Sequence, residues 1–503
     1  MKIQRRGVKA CSVPAPQEGL DHRLKTGVDS AEPFRQALQL ENWVVLDQAI
    51  QTRKGYRRLT DCDMQIERLH SHDMNNEKKL LACGGGAVYE LKAMGEHLCL
   101  KSGFSSDQWR ITCFHGASLF MNGCDDPHLY QDGRFEPISF QEFDNPHSLS
   151  GAMVYQSRLF YWSHQSLTFW YGDIHTIGGK LQAFPLSLAG DYRGTIMHID
   201  QMMLSGPKGV QTAFVIFLSS GQVVVYRGLD PGRAETWALL CTVQISKPLT
   251  SDCVLSYAGD LLVIGEEGYF FLSKYLGGEE RLTCQGALLS ELQKAIKLYA
   301  KQKGWSLTFD SIRDWIIINV PNGKNSEGKP SFIQHIFDLS RGVWMTFTGI
   351  QSNCWHMHDG ALFFASGASV YRAFDAPDDE GRVIRAYLKM PWFDFGRPSV
   401  LKKVSMVKAR FESHGFESAA VGIAVDHQDQ KKRSCQIRQN KKQVSHWGSM
   451  WNRALWSRQV QVKDDWQTVA VAGYALSLDL SLMTHEPATY YGSEMIFEQG
   501  GLT

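Results

Sequence analysis

One stretch, residues 214–231 (FVIFLSSGQVVVYRGLDP), constrains the fold more than any other. Phe214, Val215, Ile216, Phe217 and Leu218 form an unbroken apolar run. Ser219-Ser220-Gly221 is a turn signal, and residues 223–226 are a second β-rich run. A strand apolar at every position has no face to offer water, so a hairpin made of two such strands must be covered on both sides. Sheets stacked face to face around a common centre provide that cover.

Such an arrangement requires the hairpin to recur, and it does. Units of the same kind stand at 80–91 (LLACGGGAVYEL), 110–123 (RITCFHGASLFMNG), 152–164 (AMVYQSRLFYWSH), 252–272, 314–347 and 354–374 (CWHMHDGALFFASGASVYRAF). Several share an apolar strand, a glycine turn and a strand that ends in an aromatic: GGGAVYEL, SGQVVVYRG, EGYFFLS, SGASVYRAF. Six or seven units over roughly 300 residues fall near the ~40–50 residues of a four-stranded blade. The spacing predicts an all-β chain with an irregular six- or seven-bladed β-propeller over residues 80–375.

The flanks read differently. Residues 1–79 predict a short helix around 34–45 and first strands, with a basic segment RKGYRR at 53–58. Leu288, Leu292, Ala295, Ile296 and Tyr299 repeat at helical spacing, with Gly304 as a stop, so one amphipathic helix is expected between blades. DAPDDEG, residues 375–381, reads as an acidic linker, and alternating strands beyond it predict a separate β-sandwich-like domain over 383–503.

Lys plus Arg (53) nearly balances Asp plus Glu (52) among 503 residues, so no overall field draws nucleic acid or an anionic membrane. Eleven cysteines stand singly, without a CxxC pair, and the first residues lack the apolar core of a secretory signal. A reducing cytoplasm is the expected place of synthesis. No run approaches the ~18–20 apolar residues of a membrane helix, and no membrane partner is expected.

Local features that invite a chemical reading have plainer ones. Gly84-Gly85-Gly86 lacks the Lys-Ser/Thr of a phosphate loop and reads as a hairpin turn. Cys354, His356 and His358 share one strand face, yet no further ligands accompany them at a recognisable spacing. Asp125 and Asp126 precede Pro127, which is turn chemistry before it is a carboxylate pair. Tyr155, Tyr161, Trp162, Phe169, Trp170 and Tyr171 suit a β core better than a sugar platform. No catalytic residue, metal or cofactor is expected. The densest basic tract, residues 430–443, carries Lys431, Lys432, Arg433, Arg438, Lys441 and Lys442 and is followed by Trp447, Trp451 and Trp456. Lys431, Lys432, Arg433, Lys441, Lys442 and the three tryptophans are the candidate interface; contact with a partner chain or with DNA are the alternatives to a solvated loop.

Taken in order, several segments resemble the tail hub or nozzle proteins of short-tailed bacteriophages, also called packaged-DNA stabilisation proteins. These are an Arg-Leu-Phe strand (158–160) leading to Trp-Tyr-Gly and Ile-Gly (170–179), a hairpin ending Val-Tyr-Arg-Gly-Leu-Asp-Pro (221–231) with Trp237 downstream, and Gly-Asp-Leu (259–261). NWVVLDQAIQTRKGYRRL near the start and GSEMIFEQGG near the end extend the resemblance over most of the chain; Gln222 departs from the glutamate of that pattern. The resemblance implies a structural, non-enzymatic virion protein, made in the host cytoplasm. It would form a ring of six below the portal and its adaptor, with a channel for double-stranded DNA closed by loops at its narrow end. The implied partners are copies of itself, the head-to-tail adaptor, tail fibre, tailspike or needle proteins, and the passing genome. The gate residues are not readable. A carbohydrate-binding or carbohydrate-active propeller is the alternative; it would need paired carboxylates in a central pocket, and no acidic position repeats across the units.

Overall fold

A hairpin's two faces are filled by whatever meets its alternate residues, and in the computed structural model that division is clean. Gly209–Leu218 pairs antiparallel with Gln222–Gly228, Val215 opposite Val225 and Ile216 opposite Val224. Phe214, Ile216, Leu218, Val224 and Tyr226 are buried with Tyr155, Phe160 and Trp162 of the sheet before. Val215, Phe217, Val223 and Val225 are buried with Leu261, Val263 and Phe270 of the sheet after. The structure describes residues 8–25, 35–74, 77–92, 96–206, 209–277, 288–438 and 461–500.

The same division repeats around a ring, so the fold is a β-propeller. Residues 68–102, 110–137, 151–185 and 196–244 each give four antiparallel strands, and residues 254–271 give three. Cys354–His358, Ala361–Ser366 and Ser369–Ala376 form the last blade, whose fourth strand is Gly55–Asp61 from the other end of the chain. That strand closes the circle, and Phe363, Ala365 and Val370 are buried against Leu69, Leu80 and Ala82 of the first blade. Six blades are thus sheets to themselves. The strands between 306 and 347 take the remaining place, but Val343–Phe347 continues through Gln39–Glu41 into carboxy-terminal strands as one nine-stranded sheet. Propeller strands begin at Gly55, ahead of the expected boundary at 80.

Two expectations give way to tertiary pairing. Residues 34–45 predict a helix, yet Gln39–Glu41 and Trp43–Val45 are strands. Asn42 between them sits at φ +61°, outside helical space, and donates through Nδ2 to the Arg385 carbonyl at 2.7 Å. The second concerns residues 383–503. Their strands form no sheet of their own: some extend the sheet of the sixth blade position, and Lys402–Ser413 and Ala488–Gln499 pair in a seven-stranded sheet with Val8–Pro14 and Ile50–Thr52. One core runs through all of it, from Val13 and Trp43 through Leu292 and Ile316 to Val407 and Leu480. The amphipathic helix forms where expected, Leu289–Tyr299, with Leu292 and Ile296 turned into that core.

Arg53, in the segment read as basic, is a buried joint. Its Nε donates to Asn42 Oδ1 (2.8 Å), Nη1 to the Lys54 carbonyl (3.1 Å) and Asp379 Oδ1 (2.7 Å), and Nη2 to the Thr348 carbonyl (2.9 Å) and Asp379 Oδ2 (2.6 Å). All five guanidinium protons are used. The acidic linker therefore supplies a buried anchor at Asp379, which ties an amino-terminal strand to the end of the propeller.

Candidate functional site

The first strands of successive blades lie against one another around the axis, so the ring by construction brings their polar residues together. Arg68 opens the first strand of the first blade and Arg110 that of the second. Arg68 Nη2 lies 2.8 Å from Asp252 Oδ1, in the turn before the fifth blade, and Arg110 Nη2 lies 3.5 Å from the same oxygen. Arg110 Nη1 is 3.2 Å from His198 Nδ1, and His198 Nε2 is 3.3 Å from Asp200 Oδ2, both on the first strand of the fourth blade. Burial pushes the Asp252 carboxyl up, and the two guanidinium groups more than offset that, leaving it below the usual range. Burial and Arg110 together hold His198 below its usual pKa, so it is neutral near pH 7. The cluster cross-links four blades across the axis.

A second group lies between the first, second and last blades. His70 Nε2 and His72 Nδ1 each lie 2.8 Å from the buried Ser118 Oγ. A hydroxyl has one proton and two lone pairs, so it donates to at most one of the two rings and accepts from at least one. Cys113 Sγ is 3.7 Å from His70 Nε2. Burial drives the His70 pKa well down, with His356 adding to it, and pushes the Cys113 thiol up. A neutral thiol and a hydroxyl with no exposed surface make poor nucleophiles. The arrangement satisfies buried polar groups.

Sequence-selected residues fall as follows. His358 Nδ1 takes Ser71 Oγ at 2.8 Å, the His356 ring packs on His70 at 5.5 Å, and Cys354 is buried among apolar residues. No group of three metal-ligating side chains occurs among the described residues. Gly85 and Gly86 sit at φ +61° and +71° in the turn between Glu77–Gly84 and Ala87–Leu91. Asp125 accepts the Ser105 N–H at 2.8 Å and Asn122 Nδ2 at 2.7 Å, which is turn chemistry. Tyr155, Tyr161, Trp162 and Phe169 are buried, and Trp170 packs on Phe143. Lys432 is pinned to buried Asp479 at 2.6 Å and lies over the Tyr387 ring, whereas Arg433 is exposed. Lys441, Lys442, Trp447, Trp451 and Trp456 lie outside the described residues, as does the side chain of Lys431. The axial Arg68, Arg110 and Asp252 escaped the sequence reading; an arginine at the first position of two successive inner strands was the available signal.

Residues of the segments 158–171 and 226–237 converge. Arg158 Nη1 is 3.2 Å from Asp230 Oδ1, 72 positions away, and its guanidinium lies over the Tyr171 ring. Trp237 stacks on Phe160 (6.2 Å, 12°) and on Tyr226 (5.3 Å, 15°). Gly228, at φ +146°, lets the hairpin pass the Thr236 carbonyl, which a Cβ would approach to 1.8 Å. Together they form the joint between the third and fourth blades.

A cleft of about 450 Å³ lies beside the last blade, lined by Lys54, Asp375, Glu412, His414, Glu486 and Thr489 among others. No helix among the described residues is long and apolar enough to cross a membrane.

No protein-family model and no curated protein matches the chain. Solved structures similar to it include YCF48 bound to D1 peptide, at 12% identity over 67% of this chain and 98% of that one (TM-score 0.41). BBS1N in complex with ARL6DN is similar at 9% identity over 64% of this chain and 97% of that one (TM-score 0.41). PorZ of Porphyromonas gingivalis is similar at 11% identity over 70% and 44% (TM-score 0.37). At these identities the likeness concerns the fold alone.

Proposed function

We propose that this chain is a structural virion protein, a tail hub or nozzle subunit. It assembles as a ring, of six copies on the family's pattern, beneath the portal and adaptor, carries the attached tail proteins, and retains the packaged genome until ejection. The observation that carries the reading is the ordered resemblance, whose residues Arg158, Tyr171, Gly228, Asp230 and Trp237 meet in one inter-blade joint. A joint of this kind is mechanical, which suits a protein that acts through architecture rather than through a catalytic site. The protein then acts by shape and has no reaction to perform.

The axial cluster adds a consequence. Arg68, Asp252 and Arg110 bridge the propeller across its own axis at 2.8 and 3.5 Å, whereas the major groove of a duplex is itself about 12 Å wide. A duplex has no path through the single propeller, so the conduit runs between copies. Electron cryo-microscopy of particles that contain the chain, with copy number by quantitative mass spectrometry, tests the reading. Six copies around the tail axis below the adaptor are expected; a single copy per tail, or a chain absent from virions, rejects it.

A further inference from the structure

An amphipathic helix buries one face and leaves the other to water. Leu292 and Ile296 of Leu289–Tyr299 are buried in the core, and the helix packs on Gly268–Phe271 and Trp315–Lys324. Gly268–Phe271 is the outermost strand of the fifth blade, which has three strands where most blades have four. The free face of the helix therefore looks outward from the ring, away from the axis.

That face carries one sign of charge. Residues 294–303, KAIKLYAKQK, hold four lysines and no acid. Lys294, Lys297, Lys301 and Lys303 are all exposed, and among the described residues none of them is ion-paired. Lys324 stands exposed close by, since the Gly323 carbonyl before it accepts Gln302 Nε2 at 3.2 Å. Glu291, at the other end of the helix, faces His22 at 3.3 Å. By contrast, Arg57 and Arg58 on the outer strand of the last blade are paired with Asp375 and with Asp61 and Glu380. Lys294 and Lys297 are three apart, and Lys297 and Lys301 four apart across the helix end, so like charges occupy the spacings at which helical side chains are neighbours. The helix dipole favours cations at this end. One or two would satisfy it, whereas a row of four is best relieved by a polyanion lying along it.

We propose that this row, Lys294, Lys297, Lys301 and Lys303, is where the chain meets the phosphate backbone of a DNA duplex. The assignment rests on the conduit reading for the identity of the polyanion. Two observations favour phosphates over an acidic protein. The propeller axis is bridged by Arg68, Asp252 and Arg110, so a duplex lies on the outer side, where the row stands. All four cations are lysines, which meet phosphates as point charges on flexible stems and pass from one to the next, whereas arginine holds a phosphate in a bidentate fork. Such a row positions a sliding duplex without gripping it, and it reads no base.

Fluorescence anisotropy of the full chain with a labelled duplex, titrated between about 50 and 200 mM salt, provides the test. The parent binds weakly, with a log-log slope of about −2.7 to −3.6, which is three to four contacts at about −0.9 each. Lys294→Gln with Lys297→Gln and Lys301→Gln flattens the slope by about 2.7. These positions are exposed, and glutamine forms helix about as well as lysine, so circular dichroism and melting stay as in the parent. Lys9→Gln with Lys247→Gln and Lys403→Gln removes the same charge from exposed sites elsewhere and leaves the slope as it is. The proposal is overturned if the helix variant keeps the parent slope or if the control variant flattens it equally. Tighter binding of poly-L-glutamate than of duplex at equal charge also overturns it, and makes an acidic protein the occupant. An unchanged slope in the helix variant with six copies per tail sinks the phosphate contact and spares the conduit; a flattened slope in a chain absent from virions does the reverse.

Discussion

His335 lies in the strand Pro330–Asp338, where nothing in the sequence QHIFD marks it as unusual. In the structure it is buried, with Nδ1 2.7 Å from the Tyr269 hydroxyl. Burial drives its pKa down to about 4; Glu291 opposes that and His22 adds to it. The unfolded chain titrates this group near 6.5. Between pH 6.5 and 4 the unfolded state therefore binds a proton that the native state refuses. Stability is complete above that window and falls as pH drops through it, by up to about 3 kcal/mol from this residue. His335→Gln, which can still accept from Tyr269, should lose about 2–3 kcal/mol less than the parent when urea unfolding at pH 4 is compared with pH 7. Equal losses would place the acid sensitivity elsewhere, with His356, also held near 4, as the next source. Such residues were illegible because their state is set by neighbours far away in sequence.

At the scale of elements, the hairpins were legible because their signal is local: apolar runs, a glycine turn, aromatic ends. The strand Gln39–Glu41 was not. Ala37, Leu40 and Val44 suit helical spacing as well as strand alternation, and only the main-chain partners at Leu388 and Thr346 decide between them. The separate sandwich is not confirmed, for a related reason: the sequence shows alternation but not which sheet an alternating strand will join. The joint between the third and fourth blades was visible as a pattern of residues while their contacts were not. Trp237 is its centre, 6% exposed and stacked between Phe160 and Tyr226. Trp237→Ala should cost about 3–5 kcal/mol, the range for a large aromatic removed from a core, measured by denaturant unfolding. A cost below about 1 kcal/mol would mean that the joint does not hold the blades together.

For the molecule as a whole, the balance of charge decides how a subunit of the proposed conduit would meet DNA. A protein that grips a duplex neutralises several phosphates, and its affinity falls with salt at a log-log slope of about −0.9 per contact. This chain carries 53 basic against 52 acidic residues, and Lys432 within its densest basic tract is already paired with Asp479 at 2.6 Å. A conduit that must release its genome gains from few such contacts, because each held phosphate adds friction. The isolated chain should bind duplex DNA no tighter than roughly 10⁻⁴–10⁻⁶ M at physiological salt, with a slope shallower than about −4. Lys432→Gln separates the two roles of that side chain. It leaves the buried Asp479 carboxylate unpaired, so it should lower stability while leaving DNA affinity and its salt slope unchanged. Nanomolar binding with a steep slope that flattens in Lys432→Gln would instead make the tract a DNA-gripping element, and the conduit would then hold its genome by charge rather than by constriction.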